Sequence, residues 1–172
     1  MTLLETERLV LREIITDDAE FMYQLMNDAS WLRFIGDRNI KSIEVAEKYI
    51  ANKLMPSYEK FGFGFYLTSL KENDAPIGVC GLIKRPSLEH VDVGFAFMPE
   101  FRNKGYGYES SVAILDYAKD ELGIDYIVAI TDLDNIASIK LLEKLGLKFE
   151  KIMQLDGEKK QCRLFVPKQA SG

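Results

Sequence analysis

An α/β domain, in the α+β sense of helices packed on one mixed and mostly antiparallel sheet, is the fold class this sequence predicts, and three observations predict it. Phe63–Leu70 and Pro76–Ile83 are apolar runs separated only by the polar turn KENDAP, the pattern of antiparallel strands closed by a hairpin. Val91–Met98 (VDVGFAFM) and Tyr126–Thr131 (YIVAIT) are further strand-like runs with a long helical periodicity between them, which requires a crossover connection. The composition, 47% hydrophobic and 28% charged over 172 residues, suits one ordinary globular domain spanning residues 1–172, with no repeat and no low-complexity linker to divide it.

The elements follow in order. Arg8–Arg12 (RLVLR) alternates apolar and basic residues and reads as a half-buried strand. Thr16 or Asp17 offers an N-cap oxygen to a helix carrying Phe21, Leu25 and Met26, ending near Asn27. A second helix is expected from Ser42 through Val45, Tyr49, Ile50 and Leu54, halted around Met55-Pro56 because proline removes a helix donor. The hairpin strands come next, then VDVGFAFM, ended by Pro99. From Gly105 to Leu122, Tyr108, Val112, Leu115, Ala118 and Leu122 share one helical face, and Gly123 is a C-terminal cap. YIVAIT predicts a short buried strand. Asp134 or Asn135 caps a helix bearing Ile139, Leu142 and Leu145, stopped at Gly146, and two more strands complete a set of six to seven flanked by about four helices.

Charge and rare residues narrow the function classes. The net charge of −5 argues against nucleic acid as the main partner, because phosphate backbones need a basic face. MTLLETERLVLRE has neither an apolar signal core nor a small-residue cleavage site, so a cytoplasmic protein with no membrane partner is expected. Cys80 and Cys162 stand in no CxxC spacing, and His90 is the sole histidine, so no metal is expected and the thiols read as reduced core residues.

FRNKGYGYES, Phe101 to Ser110, sits where a strand gives way to a helix. The first turn of a helix presents backbone N–H groups without intrahelical partners and a partial positive charge. Glycine lets the main chain approach a phosphate closely, and Arg102 and Lys104 add full charges, so a pyrophosphate is a natural guest. A tight turn in which Gly105 and Gly107 only relieve steric crowding explains the same residues equally well. A Walker loop is absent, and a dinucleotide fingerprint would need a third glycine where Ser110 stands.

Arg102-Asn103-Lys104-Gly105-Tyr106-Gly107 resembles the acetyl-CoA signature Q/R-x-x-G-x-G/A of the GNAT family of N-acetyltransferases. Asn135-Ile136-Ala137-Ser138, followed by Glu143-Lys144-Leu145-Gly146-Leu147, resembles that family's second cofactor segment, and TERLVLRE, Thr6 to Glu13, is similar to the opening of the branch of RimJ and RimL, the ribosomal-protein N-terminal acetyltransferases. The resemblance runs from about Thr6 to Glu150. It implies the GNAT fold, with the sheet splayed between the fourth and fifth strands, and acetyl-CoA as the cofactor. Backbone near Phe97 and Met98 would pair with the pantetheine arm and turn an N–H toward the thioester oxygen. Arg102, Asn103, Lys104, Gly105, Tyr106, Gly107 and Tyr108 would wrap the pyrophosphate, and Asn135 and Ser138 would meet the lower pantetheine or the sulfur. The implied reaction is direct attack by a primary amine, a protein N-terminus or a small molecule, in a ternary complex; a non-catalytic acyl-CoA-binding module with the same fold is the alternative.

Catalytic candidates follow from the resemblance. Asp92, with Glu89 and His90 nearby, lies in the region where family members often place a carboxylate base; by strand alternation it faces either the cleft or solvent. Many members carry a tyrosine acid seven residues after the Asn of the second segment, but that position is Leu142, which leaves Ser138 either as proton donor or as a small residue making room for CoA. Glu109 matches a glutamate of the RimL branch and also fits a carboxylate balancing a helix N-terminus. On the acceptor side, Trp31, Phe34 and Asp37, in the loop Ser30–Ser42, would shape a pocket, with Asp37 or Glu44 meeting an ammonium; Trp31, the sole tryptophan, reads more simply as a core anchor. The acidic chain suits a cationic acceptor in general. Either a monomer or a homodimer is compatible with the resemblance.

Overall fold

Strands β1 (Thr2–Glu5) and β2 (Leu9–Glu13) pair antiparallel, and β2 goes on to pair with β3 (Phe65–Leu70), β3 with β4 (Pro76–Ile83) and β4 with β5 (Asp92–Phe97). This is a computed structural model, and it describes residues 2–168. A second sheet, in the order β6 (Ala129–Asp132), β8 (Gln161–Pro167), β7 (Leu147–Gln154), is also antiparallel. The two sheets touch where β5 begins: Val93 N–H donates to Val128 O at 2.9 Å and Val128 N–H to Val91 O at 3.0 Å, a parallel contact that does not continue.

The described residues hold eight strands, one more than expected, because Thr2–Glu5 is an edge strand too exposed to show an apolar rhythm. The splay therefore lies between β5 and β6 in this count, the strands that the sequence numbers as fourth and fifth. Tyr126 is outside β6, 42% exposed and packed on His90 with ring centroids 4.5 Å apart, so the buried strand starts later than YIVAIT suggests.

Helix α1 (Ala19–Met26) is preceded by a 3-10 turn at Thr16–Asp18, and neither Thr16 nor Asp17 caps it; Asp18 instead takes Ile15 N–H at 2.9 Å. Helix α2 (Ile43–Tyr49) begins as expected, with Ser42 Oγ accepting Val45 N–H. It does not stop at Pro56. Ile50–Leu54 widens into a π turn and the chain re-enters helix as α3 (Met55–Phe61), with Pro56 in its first turn, where a missing donor costs no bond.

Helix α4 (Tyr106–Glu121) ends as its glycine predicts: Gly123 has φ +69° and Ile124 N–H returns to Ala118 O. Helix α5 (Ile136–Lys144) is capped by Asn135, whose side chain accepts Ser138 N–H at 3.3 Å. Two apolar cores lie on opposite faces of the main sheet. One gathers Leu9, Leu11, Val93, Phe97, Ile114, Ala118 and Leu142 under α4 and α5. The other joins Met22, Leu25, Trp31 and Ile50 to Leu67 and Val79. Each fully buried Leu or Ile contributes roughly 1.5–3 kcal/mol of transfer free energy, so both faces hold their helices in place. Cys80 is in the first core; Cys162 is only half-buried, a departure from the expected pair of core thiols.

Candidate active site

Strand alternation decides what the opening between β5 and β6 offers. Met98 N–H donates to Ile77 O at 2.9 Å and Val93 N–H turns the other way, to Val128 O. Along an antiparallel strand the outward direction of the main chain alternates, so the backbone groups of Phe95 and Phe97, like those of Val93, face β6. Past Val128 no ladder meets them. The Phe97 carbonyl is taken by Arg102 Nε at 2.9 Å, and the remaining polar backbone of Phe95 and Phe97 is open to a guest with amide groups.

This opening belongs to a cavity of about 530 Å³ bounded by β5, β6, the start of α4 and the start of α5. Its volume is that of a ligand site. The first intrahelical bond of α4 runs from Glu109 N–H to Gly105 O at 3.0 Å, which leaves the N–H groups of Tyr106, Gly107 and Tyr108 without helical partners at the cavity wall. The two glycines do different things. Gly105 holds φ +84° and turns the chain into the helix; Gly107 is helical, and a Cβ there would come 3.0 Å from Leu141 Cδ2 of α5.

The flanking cations are placed differently from the sequence expectation. Arg102 lines the cavity, but its guanidinium ties Asp28 (2.7 Å), Ser30 Oγ (3.0 Å) and Phe97 O into one strut, so its charge is met by a carboxylate. Lys104 lies off the wall, and its carbonyl accepts Arg8 Nη1 at 3.0 Å. Lys144 of α5 does line the cavity, its Nζ 4.2 Å from the centre of the Tyr108 ring. It went unnoticed as a site residue although it stands in the Glu-Lys-Leu-Gly string.

Glu109 is a correction. It does not line the cavity. Its carboxylate accepts Thr6 Oγ1 (2.5 Å), Arg8 N–H (2.9 Å) and Arg8 Nε (2.8 Å), binding the β1–β2 turn to the first turn of α4. Partial burial pushes its pKa up, but the Thr6 hydroxyl and the two Arg8 contacts outweigh this and hold it below the ordinary glutamate value. Both carboxylate oxygens are engaged in this clamp, away from the cavity, so the residue is placed for structure rather than for chemistry.

Asp92 lies on the cleft side rather than the solvent side, as a paired carboxylate. It is 1% exposed, lines the cavity and receives Arg85 Nε at 2.7 Å. Burial raises its carboxyl above the ordinary range, and Arg85 and Lys84 oppose that shift without cancelling it. Arg85 and Phe95 are site residues missed by sequence reasoning; Phe95 was within reach, since it alternates with Phe97 along β5, whereas the pairing of Arg85 with Asp92 leaves no trace in the chain order.

A second cavity of about 270 Å³ adjoins the first and shares Trp31, Ile35, Phe65, Ile83, Arg85, Phe95 and Ala96 with it. It is bounded mostly by apolar side chains, among them Met22 and Met26 of α1, Phe61 of α3, and Val79, Leu82 and Ile83 of β4. Trp31 is 8% exposed, stands on both walls and has a buried Nε1 without a partner, so it is at once core anchor and pocket wall. Phe34 lines the larger cavity; Asp37 and Glu44 line neither. Asp37 is taken up locally, accepting Asn39 N–H at 2.7 Å.

Of the residues singled out for the cofactor, Phe97, Arg102, Asn103, Gly105, Tyr106, Gly107, Tyr108, Asn135 and Ser138 share the larger cavity, and Met98 and Lys104 do not. Met98 is excluded by the alternation that turns its N–H to Ile77. Among the described residues the Ser138 hydroxyl has no hydrogen-bond partner, while Leu142, on the same wall, is 1% exposed. Glu89 and His90 lie on the surface, 89% and 43% exposed.

Residues 8–148 match the family model of the acetyltransferase (GNAT) domain. Among curated proteins, YoaA of Bacillus subtilis (strain 168), which bears the name uncharacterized N-acetyltransferase, is 30% identical over 154 residues, 88% of this chain and 86% of its own. YnaD of the same organism, similarly named, is 28% identical over 145 residues, 84% and 82% of the two chains. Solved structures with the same fold include the acetyltransferase from Agrobacterium tumefaciens str. C58, at TM-score 0.80 and 20% identity over 96% of this chain and 94% of that one. RimL, a ribosomal L7/L12 alpha-N-protein acetyltransferase solved in complex with coenzyme A, superposes at TM-score 0.80 and 17% identity over 96% and 97%.

Proposed function

Because this chain belongs to the acetyltransferase (GNAT) family and is an acetyltransferase, we propose that it is an acetyl-CoA-dependent N-acetyltransferase that acts on a primary amine, by direct attack in a ternary complex. The observation that carries this reading is the unpaired stretch of β5 opening beside the free N–H groups of α4. A strand-like ligand arm ending in a pyrophosphate has the shape and polarity those two features ask for, so the residues present fit acetyl-CoA.

Phe95 and Phe97 would hold the pantetheine amides, Tyr106, Gly107 and Tyr108 the pyrophosphate, and Lys144 would add charge beside it. Acetyl-CoA supplies an activated thioester: the acceptor nitrogen bonds to its carbonyl carbon as the C–S bond breaks, the ammonium having given up a proton and the leaving sulfur gaining one. An outward N–H on β5 would stabilise charge developing on the carbonyl oxygen. Asp92, with its raised pKa, is the group on this wall suited to take the ammonium proton, directly or through a water. Ser138 is the hydroxyl suited to protonate the sulfur, in the absence of a phenol at Leu142. An α-amine, whose pKa is roughly 7.7–8.0, needs only modest help from such a base. The same reading takes residues 1–172 as one domain, acting in the cytoplasm on a peptide N-terminus or a small amine.

The test is free-thiol release from acetyl-CoA across a panel of amines, run beside calorimetric titration with CoA. Turnover with some amine and micromolar CoA binding are expected. Tight CoA binding with no turnover on any amine would reduce the protein to a binding module, and failure to bind CoA would remove the reading altogether.

A further inference from the structure

The smaller cavity carries a charge pattern opposite to that of the whole chain. The net charge is −5, yet the charged side chains on this wall are Arg38, Lys53, Lys84 and Arg85, with no carboxylate among them. Arg85 is met by Asp92 on the larger cavity, and Lys84 Nζ is turned to the carbonyls of Leu88 (2.6 Å) and Arg85 (3.3 Å). Arg38 has only a distant partner, Glu158 at 3.8 Å, and Lys53 has no ion pair among the described residues. Both bound the smaller cavity alone, whereas Asp92 bounds only the larger one.

We propose, resting on the N-acetyltransferase reading above, that the acceptor is a small amino-acid-like molecule: a primary amine that also bears a carboxylate, on an apolar body. Three features select it. A cavity of about 270 Å³ lies below the range of drug-sized ligand sites and suits a molecule of amino-acid size better than an oligosaccharide. Met22, Met26, Phe61 and Phe63 give the body an apolar, adaptable bed. The electrostatic order, Asp92 at the thioester end and Arg38 with Lys53 at the far end, matches an ammonium and a carboxylate held on one molecule and opposes a polycation. The local charge of this wall is opposite to that of the whole chain, and an acceptor meets the local field rather than the net charge.

Matched acceptors decide the matter. Initial rates of acetyl transfer are measured for phenylalanine and methionine, for their amides, for phenethylamine, for spermidine and for a short peptide amidated at its C-terminus. The free acids are expected to show kcat/KM higher than their amides by about tenfold or more, the scale of one charge-assisted contact. Lys53→Gln and Arg38→Gln should erase that preference by raising KM for the acids far more than for the amides. Equal or better turnover of the amides, the peptide or spermidine overturns the proposal while leaving an N-acetyltransferase. If no amine turns over, binding to the CoA-loaded protein is read instead: N-acetylphenylalanine binding more tightly than its amide, with loss of the difference in Lys53→Gln, upholds the anion end, and equal binding overturns it.

Discussion

Arg8 and Glu109 meet at 2.8 Å although 101 residues separate them, and through this contact the β1–β2 turn is fastened to the first turn of α4. Glu109→Gln is therefore expected to lower stability by about 1–2 kcal/mol, for a partly exposed group accepting charge-assisted bonds, and to leave kcat unchanged. The sign with pH follows from the depressed carboxyl: its contribution is present above the ordinary glutamate pKa and disappears as pH falls through the lower folded value. Urea unfolding of both proteins across the acid range measures this; a wild-type advantage that grows toward low pH would contradict the clamp.

Asp92 is expected to shape the rate rather than the fold's framework. Its carboxyl is raised, so the basic form vanishes as pH falls through a value above the usual aspartate range, and kcat should lose activity along that limb. Asp92→Asn should cut kcat by about a hundredfold and abolish the limb while CoA affinity stays unchanged. For stability the sign is reversed relative to Glu109: the folded state holds this proton more firmly than the unfolded chain, so the advantage lies at low pH and fades as pH rises through the folded value. A variant with wild-type kcat and an intact acid limb would remove Asp92 from the mechanism.

Gly105→Ala and Gly107→Ala should weaken CoA binding for different reasons. At Gly105, a side chain in the left-handed region costs roughly 1–2 kcal/mol and crowds Arg8 Nη2 at 3.2 Å. At Gly107, the new methyl pushes α4 from Leu141. Calorimetric Kd should rise about tenfold or more for Gly105→Ala. Unchanged affinity in both would show that the start of α4 does not contact the cofactor.

Tyr58 fastens α3 to the sheet: its hydroxyl donates to Phe65 O and accepts Ile14 N–H at 2.9 Å, while its ring stacks on Tyr66 with centroids 5.6 Å apart. Tyr58→Phe keeps the ring and strands both backbone groups, so a loss of about 1–3 kcal/mol is expected in chemical denaturation. Alkaline titration should find this phenol well above the ordinary tyrosine range, raised chiefly by burial.

What the chain order discloses is local. The glycines around α4, the Asn135 cap and the KENDAP hairpin are legible because each depends on a few neighbouring residues. Pro56 misleads because the π turn that accommodates it is a property of the helix path, which no nearest-neighbour signal announces. The contacts of Arg102, Glu109 and Asp92 are not legible in the chain order for one reason: their partners Asp28, Arg8 and Arg85 arrive through tertiary folding. TERLVLRE and RNKGYGYE, which the sequence presents as separate resemblances, are two halves of one contact through Thr6, Arg8 and Glu109.

Trp31 is the sole tryptophan, and it forms part of the partition between the two cavities. The protein thus carries a single indole, which can be excited apart from its eight tyrosines, at the junction of the two proposed ligand sites. Occupation from either side alters the polarity around a single indole, so emission should change on adding CoA and again on adding acceptor. Stopped-flow traces of that signal would resolve which ligand enters first, without a label and without turnover.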